Sequence, residues 1–370
     1  MIYIALYILL AAFALLDLLK GSERIKPAAF WLLVFLLIFI SAIRWNVGTD
    51  WYSYTEFFRN IQNYVERPET NMMERGFTYL NYWVAILNGN YTILLTVMAI
   101  GMIGLKAKVF YEHRSIMMIC LFLYFCYYMA DIFGVRQYLA ISITLFAVRY
   151  IETKRFIPFL ICILLASSIH ITAIIFIFAY WLYHIKFSPI LLYTLLFMAL
   201  LLGFMDIGGI AVTVVMNMVG IDSRVGEKLM QYGADGAEIA TGNPYIAFAI
   251  GVIKRAVFLP LFISCRRYIP EINRTRYTGY LNLLVVGNVI YLLFMLSLPV
   301  IARLSTGFLL FEIFILGYLV IAVRDKWLRL LAFMLLLLFG AFRLYNLLSV
   351  YWDLYVPFET IFAPTDIQRE

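Results

Sequence analysis

The chain has 370 residues, of which 64% are hydrophobic and only 14% are charged, with a net charge of +7 and a mean hydropathy of +0.90. Soluble domains average about 45–50% apolar and about 25% charged residues, so the composition excludes an ordinary soluble protein and indicates a polytopic membrane protein. The excess of basic residues is therefore interpreted through membrane topology and not as a nucleic-acid-binding surface.

Apolar windows of the length that crosses a bilayer, about 17–25 residues, recur along the chain. They predict an all-α protein with about twelve transmembrane helices in a single transmembrane domain over residues 1–370. We interpret the stretch "FIPFLICILLASSIHITAIIFIFAYWLYHI" as two short helices that meet at a polar notch formed by Ser167, Ser168 and His170. The predicted spans lie at 2–19, 28–43, 91–108, 115–130, 136–151, 156–168, 170–184, 189–205, 245–264, 279–298, 303–323 and 327–346.

The segments between these spans divide the charges unevenly. One set holds most of the lysines and arginines, including Lys106, and the other holds most of the acids, including Asp131. The positive-inside rule makes the basic set cytoplasmic and the acidic set external. Both termini are then external, as are the long segments 44–90 and 206–244. The first has helical spacing with many aromatics, and the second is Gly-rich and predicted to be irregular.

Six polar residues from separate parts of the sequence fall at the external ends of the predicted spans. Charged side chains at this depth are costly unless they face protein or water, so we expect the six to line one outward-facing cavity. Two alternatives stay open: they anchor helix ends at lipid headgroups, or, for Asp50 and for Glu74, the carboxylate caps the next helix. The six are Arg44, Asp50, Glu74, Arg136, His170 and Arg303.

Two basic residues lie in the middle of a predicted span. Lys254 and Arg255 occur in "YIAFAIGVIKRAVFLPLFI", and Glu312 is equally deep in "RLSTGFLLFEIFILGYLV". One interpretation is an intramembrane ion pair. The other, which we favour slightly, is a basic lining for an anionic lipid head, since two cations for one acid leave charge to spare.

Several common catalytic motifs are absent from the sequence. It contains no G-x-x-x-x-G-K-[ST], no Rossmann glycine fingerprint and no H-E-x-x-H pair. No predicted cytoplasmic loop is long enough to bind a nucleotide, so ATP or a nucleotide sugar used inside the cell is not expected. A chemical step would use a lipid-borne donor on the outer side.

An ordered set of short motifs resembles the Wzy/EpsG-type polysaccharide polymerase family over nearly the whole chain. The motifs are "RWNVGTDWYSY", "ERGFTYLN", "VRQYLAISI", "LLASSIHITAIIF" and "ARLSTGF". The resemblance implies an all-helical fold related to the GT-C glycosyltransferases, with no cofactor and no metal. It implies transfer of a glycan from undecaprenyl diphosphate to another lipid-linked repeat unit, on the outer face of the bacterial cytoplasmic membrane. A chain-length regulator is an expected partner on the same ground, and membrane lipids surround the chain.

The chemistry of glycosyl transfer from a lipid diphosphate suits the residues in these motifs. Arginine forks stabilise a diphosphate leaving group, and Arg136, Arg303 and Arg44 are the candidates. A general base is needed for the acceptor hydroxyl, for which His170 and Asp50 come first and Glu74 third. The predicted substrate-binding residues are Arg44, Tyr54, Gln137, Lys254 and Arg255.

Two rival functions remain open. A membrane acyltransferase acting on surface glycans would take its acyl donor from the cytoplasm and would need a polar path through the bilayer. A lipid-linked oligosaccharide flippase would distribute its charged residues over both leaflets and show internal symmetry. The predicted external concentration of polar residues argues against the first, and neither feature of the second is present in the sequence.

Overall fold

The computed structural model describes residues 2–19, 21–219, 244–296 and 299–363, and these residues are almost all helical. They contain no β-strand; the only bridge pairings among them are the isolated bridges Arg44 to Thr360 and Thr360 to Ala363. The described chain forms two compact units, Met1–Ile177 with Leu316–Glu370, and Phe178–Ile315. The single transmembrane domain over residues 1–370 stays a prediction.

In its described residues, every predicted span falls on a helix or a run of short helices, but the count of twelve membrane crossings is not confirmed. Within the described residues, five helical runs are long and apolar enough to cross a membrane, which indicates a membrane protein. The other helices are shorter than these five: the 11-residue helix Met117–Tyr127, for example, rises only about 16 Å, against a bilayer core of about 30 Å. The five runs are Tyr91–Glu112, Phe248–Tyr268, Glu271–Phe294, Arg303–Ala322 and Lys326–Val350.

The first unit is built around one completely buried helix. Every residue of Met117–Tyr127 is buried, as expected for a helix that is apolar on all sides. It packs against the first helix of the chain, against Tyr91–Glu112 and against Lys326–Val350. The α-helices of this unit are Ile2–Ala14, Lys26–Ala42, Trp51–Arg59, Ile61–Glu66, Arg75–Ile86, Tyr91–Glu112, Met117–Tyr127, Met129–Ile132, Arg136–Glu152, Phe156–Ile169, Lys326–Val350 and Trp352–Tyr355, and Glu312–Ala322 crosses into it.

One pairing in this unit corrects the charge count made from the sequence. That count placed Lys106 in a cytoplasmic loop and Asp131 on the external face. The structure joins Lys106 Nζ to Asp131 Oδ2 at 2.9 Å with both side chains buried, and Ser142 also contacts the ammonium. The count assigned each charge near the end of an apolar window to the adjoining loop, and therefore it could not recognise a lysine that is neutralised within the helical bundle.

The second unit contains a helix where the sequence predicted an irregular segment. Residues Ile207–Val219 are helical, because this run is apolar and its two glycines do not interrupt it; the rest of that segment, 220–243, lies outside the described residues. Asn282 joins two helices by donating to the carbonyls of Leu182 and Ile185 at 3.0 and 2.7 Å. The α-helices of this unit are Ala179–Leu182, Pro189–Phe204, Ile207–Val219, Pro244–Cys265, Glu271–Phe294, Pro299–Ala302, Thr306–Leu309 and the start of Glu312–Ala322.

Candidate functional site

The arginine at the start of the first motif holds neighbouring backbone in place. Arg44 is only 2% exposed, and its Nη1 and Nη2 donate to the carbonyls of Ile132 and Gly134 at 3.3 and 3.2 Å. These carbonyls belong to the short segment that leads into the Arg136 helix (Arg136–Glu152). Burial lowers the pKa of Arg44 to about 10, so the guanidinium keeps its charge at neutral pH. Arg44 therefore positions the chain before Arg136 and does not present its own charge to an open surface.

The C-terminal segment pairs with the same motif. The N–H of Gly48 donates to Leu354 O and that of Trp45 to Glu359 O, both at 3.0 Å. Gly48 has φ of +102°, a left-handed conformation that disfavours a side chain, and an added Cβ would lie 3.0 Å from Phe133 O. The motif "RWNVGTDWYSY" thus packs between the C-terminal segment and the residues that precede Arg136.

The structure does not support a capping role for Asp50. This residue precedes the helix Trp51–Arg59 with φ of +62°, and its carboxylate makes no capping hydrogen bond. It is exposed. One helical turn later Tyr54 contacts Arg136: burial raises the pKa of the Tyr54 phenol, and the charge and hydrogen bond of Arg136 partly offset that rise. Asp50 and Tyr54 thus bring a free carboxylate and a phenol to the neighbourhood of Arg136.

An ion pair between two separate motifs forms the centre of this region. Arg136 Nη1 lies 2.7 Å from Glu74 Oε2, with side chains 20% and 16% exposed, and also contacts Met73 Sδ. The other carboxylate oxygen, Glu74 Oε1, accepts from the N–H of Ile171 at 3.0 Å. Glu74 therefore ties together the start of the Arg136 helix, the start of the helix Arg75–Ile86 and the residue that follows His170.

A glycine allows these elements to approach closely. Gly76, in the first turn of the Arg75 helix (Arg75–Ile86), faces the end of the helix Phe156–Ile169. A Cβ on Gly76 would lie 2.3 Å from Ser168 Oγ and 2.6 Å from Ser168 O. Any larger residue would thus separate the two helix ends, which explains why this motif carries a glycine directly after "ER".

The predicted helix break at His170 is confirmed, whereas the polar notch stays a prediction. The helix Phe156–Ile169 ends there, His170 is extended with φ of −151° and ψ of 117°, and a 3-10 helix continues from Ile171 to Phe178. His170 Nδ1 lies 2.6 Å from Thr172 Oγ1, which holds the imidazole ring. We call Tyr54, Glu74, Arg136 and His170, with the close contact at Ser168, the Glu74–Arg136 site.

The chemistry of this site centres on the partly satisfied guanidinium of Arg136. Its Nη1 pairs with Glu74, but its Nε is buried and has no hydrogen-bond partner. Because a guanidinium has five N–H donors, the pairing with Glu74 leaves donors that can bind an anionic oxygen. The neighbouring Gln137 is half-buried. The site thus contains Arg136, which is paired with Glu74, and His170, which directly precedes the residue whose N–H is bonded to Glu74.

The remaining residues singled out from the sequence belong to the second unit. Lys254 Nζ pairs with Glu312 Oε2 at 3.0 Å, as the ion-pair interpretation predicted. Arg255 stacks over the Tyr291 ring at 3.4 Å from its centroid and donates to Gly251 O. Arg303 is exposed at the start of a 3-10 turn. The expected convergence of Arg303 with Arg136 and His170 stays a prediction.

Two contributors to the site were not found from the sequence. Thr172 orients His170, and the backbone N–H of Ile171 binds Glu74. The position of Thr172, two residues after a histidine at a helix break, could have indicated its contact with His170. No feature of the sequence indicates the Ile171 contact, since every residue except proline carries the same backbone N–H.

In the first unit, four of the five motifs meet around the Glu74–Arg136 ion pair, whereas the fifth, which contains Arg303, belongs to the second unit. A family model described as the EpsG family matches residues 28–360. The chain belongs to the EpsG family. This is the family of Wzy/EpsG-type polysaccharide polymerases, so the membership agrees with the resemblance found in the motifs and implies a glycosyltransferase-like polymerase. Comparison with curated proteins gave no match, and comparison with solved structures gave none.

Proposed function

We propose that this EpsG-family protein polymerises a bacterial surface polysaccharide by transferring a growing glycan from undecaprenyl diphosphate to a second lipid-linked repeat unit. The observation that carries the proposal is Arg136, whose guanidinium is held by Glu74 through Nη1 while its side chain stays 20% exposed. The leaving group of this reaction is a diphosphate, and a guanidinium fork binds phosphate oxygens in a fixed geometry. Family membership supports the class of reaction.

In the proposed reaction, the acceptor hydroxyl attacks the anomeric carbon of the donor sugar. The bond from that carbon to the diphosphate oxygen breaks, and its electron pair leaves with the lipid diphosphate. Arg136 stabilises the charge that develops there, an effect typically worth about 2.7–4 kcal/mol for one well-placed donor. Arg303 is a second candidate for the same role, and Tyr54 and Gln137 lie beside Arg136 to contact the substrate.

The hydroxyl proton passes to a general base, for which His170 and Asp50 are the first candidates. The imidazole of His170 is oriented by Thr172, and the Asp50 carboxylate is exposed and caps no helix. Glu74 ranks third because both of its oxygens are already engaged, one by Arg136 and one by the Ile171 N–H. Glu74 therefore serves mainly to position Arg136 and the chain after His170.

We place this reaction on the outer face of the bacterial cytoplasmic membrane, with both termini external. The charge asymmetry of the loops supports this orientation. Contacts between segments assigned to one face agree with it: Glu112 pairs with Arg149 at 2.6 Å, and the Tyr3 hydroxyl donates to Tyr355 O at 2.7 Å. When Lys106 and Asp131 are left out of the count, the basic excess of the cytoplasmic set and the acidic excess of the external set become slightly smaller and keep their signs.

The test is a polymerisation assay with purified protein and the undecaprenyl-diphosphate-linked repeat unit extracted from the source bacterium. Products are resolved as a ladder on a gel. Arg136→Ala, His170→Ala and Arg303→Ala are each expected to reduce ladder formation by a factor on the order of 100 or more. The matched control is Arg75→Ala, which removes an exposed arginine next to Glu74. Full ladders from all three folded variants, or an acylated product without longer glycans, would refute the proposal.

A further inference from the structure

A cavity of about 620 Å³ in the second unit is lined by three arginines. It lies where the turn after the helix Pro244–Cys265 meets the start of the helix Pro189–Phe204. Arg266, Arg267 and Arg274 line one part, and Ile263 and Tyr193 contribute apolar surface. We call this the Arg266 cavity. The charge count predicts that these arginines face the cytoplasm.

The arginines keep hydrogen-bond donors available toward the cavity. Arg266 Nη1 donates to Phe187 O at 3.0 Å, and Arg274 donates through Nε and Nη2 to Ile269 O at 3.4 and 3.2 Å. Since each guanidinium has five N–H donors, these bonds fix its orientation and use only a part of its capacity. Arg267 lies over the Tyr268 ring, 4.8 Å from its centroid.

No carboxylate neutralises this cluster in the part of the chain that the structure describes. None of the ion pairs found there within 4.0 Å involves any of the three arginines. The N-terminus of a 16-residue helix adds positive potential, because Ser188, its N-cap, also lines the cavity. Three unneutralised cations around one concave space favour a multiply hydrogen-bonded anion over simple contact with water.

The surroundings of the cavity favour a lipid as the source of that anion. Large apolar side chains next to its lining residues are highly exposed: Ile190 is 77%, Tyr268 63% and Ile272 88% accessible. Exposed apolar surface beside a basic pocket suits acyl chains on the outside and a phosphate inside. We propose that the Arg266 cavity binds the phosphate group of an anionic membrane lipid. This site is separate in sequence and chemistry from the Glu74–Arg136 site and is not needed for the proposed reaction.

The test measures lipid binding to the purified, delipidated full-length protein by native mass spectrometry. Wild type is titrated with phosphatidylglycerol, with phosphatidylcholine and with inorganic phosphate. Selective retention of phosphatidylglycerol is expected. Equal binding of the two lipids would overturn the proposal. Saturation by inorganic phosphate, with no competition from phosphatidylglycerol, would identify a soluble phosphate ligand and would also overturn it.

Variants locate the bound lipid. A basic residue near an anionic surface contributes about fivefold to affinity, so Arg266→Gln/Arg267→Gln/Arg274→Gln should weaken phosphatidylglycerol binding by a factor on the order of 100. Arg267→Gln alone should weaken it about fivefold, and it breaks no backbone contact, so it remains informative if the triple variant does not fold. Unchanged binding by folded variants would contradict the assignment. The control triple variant removes the same charge from exposed residues predicted on the same face and should bind normally: Arg24→Gln/Lys108→Gln/Arg324→Gln.

Discussion

Replacing Gly76 by alanine is expected to disrupt the Glu74–Arg136 site without touching a charged group. The added Cβ would lie 2.3 Å from Ser168 Oγ and 2.6 Å from Ser168 O, where ordinary contacts begin near 3.4 Å. The backbone carbonyl cannot rotate away, so the Arg75 helix must move by nearly 1 Å. Overpacking of this kind costs about 1–3 kcal/mol, and a displacement of about 1 Å at a catalytic group costs on the order of 100-fold in rate.

The assay combines thermal unfolding in detergent with the polymerisation ladder. Gly76→Ala should lower the midpoint of unfolding and reduce ladder formation by a factor on the order of 100. Gly104→Ala is the matched control, because a Cβ there meets nothing within 4 Å; it should leave activity unchanged and add about 0.5–1 kcal/mol of stability. Adding Ser168→Gly should restore little, since the carbonyl contact remains. Wild-type activity in Gly76→Ala would show that the close helix contact does not position Arg136.

Three further changes test the charged groups. Arg136→Lys should reduce polymerisation by a factor on the order of 100. The lysine ammonium can pair with Glu74, but it lacks the planar set of N–H donors with which a guanidinium also binds phosphate. A wild-type rate would contradict the phosphate-binding role of Arg136. Lys106→Met leaves the buried Asp131 without its cation and should lower the free energy of unfolding by about 3–5 kcal/mol. An unchanged midpoint of thermal unfolding would contradict the pairing. Lys254→Met should reduce the free energy of unfolding by a similar amount, and the double variant Lys254→Met/Glu312→Leu should regain that stability. If the double variant regains stability but not activity, the Lys254–Glu312 pair serves the reaction as well as the fold.

The sequence alone located the parts of the candidate site because the physical signal was local in each case. Arg136 was selected as a charge at the end of a predicted span and Glu74 as a charge in the external segment 44–90, and the structure joins them at 2.7 Å. His170 was selected because two serines and a histidine interrupt an apolar run, and the helix does end there. Polar residues are costly inside such runs, and their positions therefore indicate where helices break or meet.

What the sequence could not supply depended on contacts between distant residues. The hydrogen bonds of Arg44 to the carbonyls of Ile132 and Gly134 are one such case, because nothing in its local sequence indicates that these segments meet. The predicted contact of Arg44 with substrate stays a prediction. Hydropathy windows also cannot locate helix ends, which is why the short buried helix Met117–Tyr127 was counted as a full span. The charge count assigned Lys106, near the end of the predicted span 91–108, to the adjoining cytoplasmic loop for a related reason, since its partner Asp131 lies 25 residues away.

The central claim is that Arg136 binds the diphosphate of the lipid-linked donor. The most direct measurement is an experimental structure of the protein bound to a non-hydrolysable undecaprenyl diphosphate glycan. The account predicts a phosphate oxygen within about 3 Å of the Arg136 guanidinium, with the anomeric carbon on the side of His170. A bound donor whose diphosphate lies in another part of the protein, with Arg136 still paired only to Glu74, would contradict it.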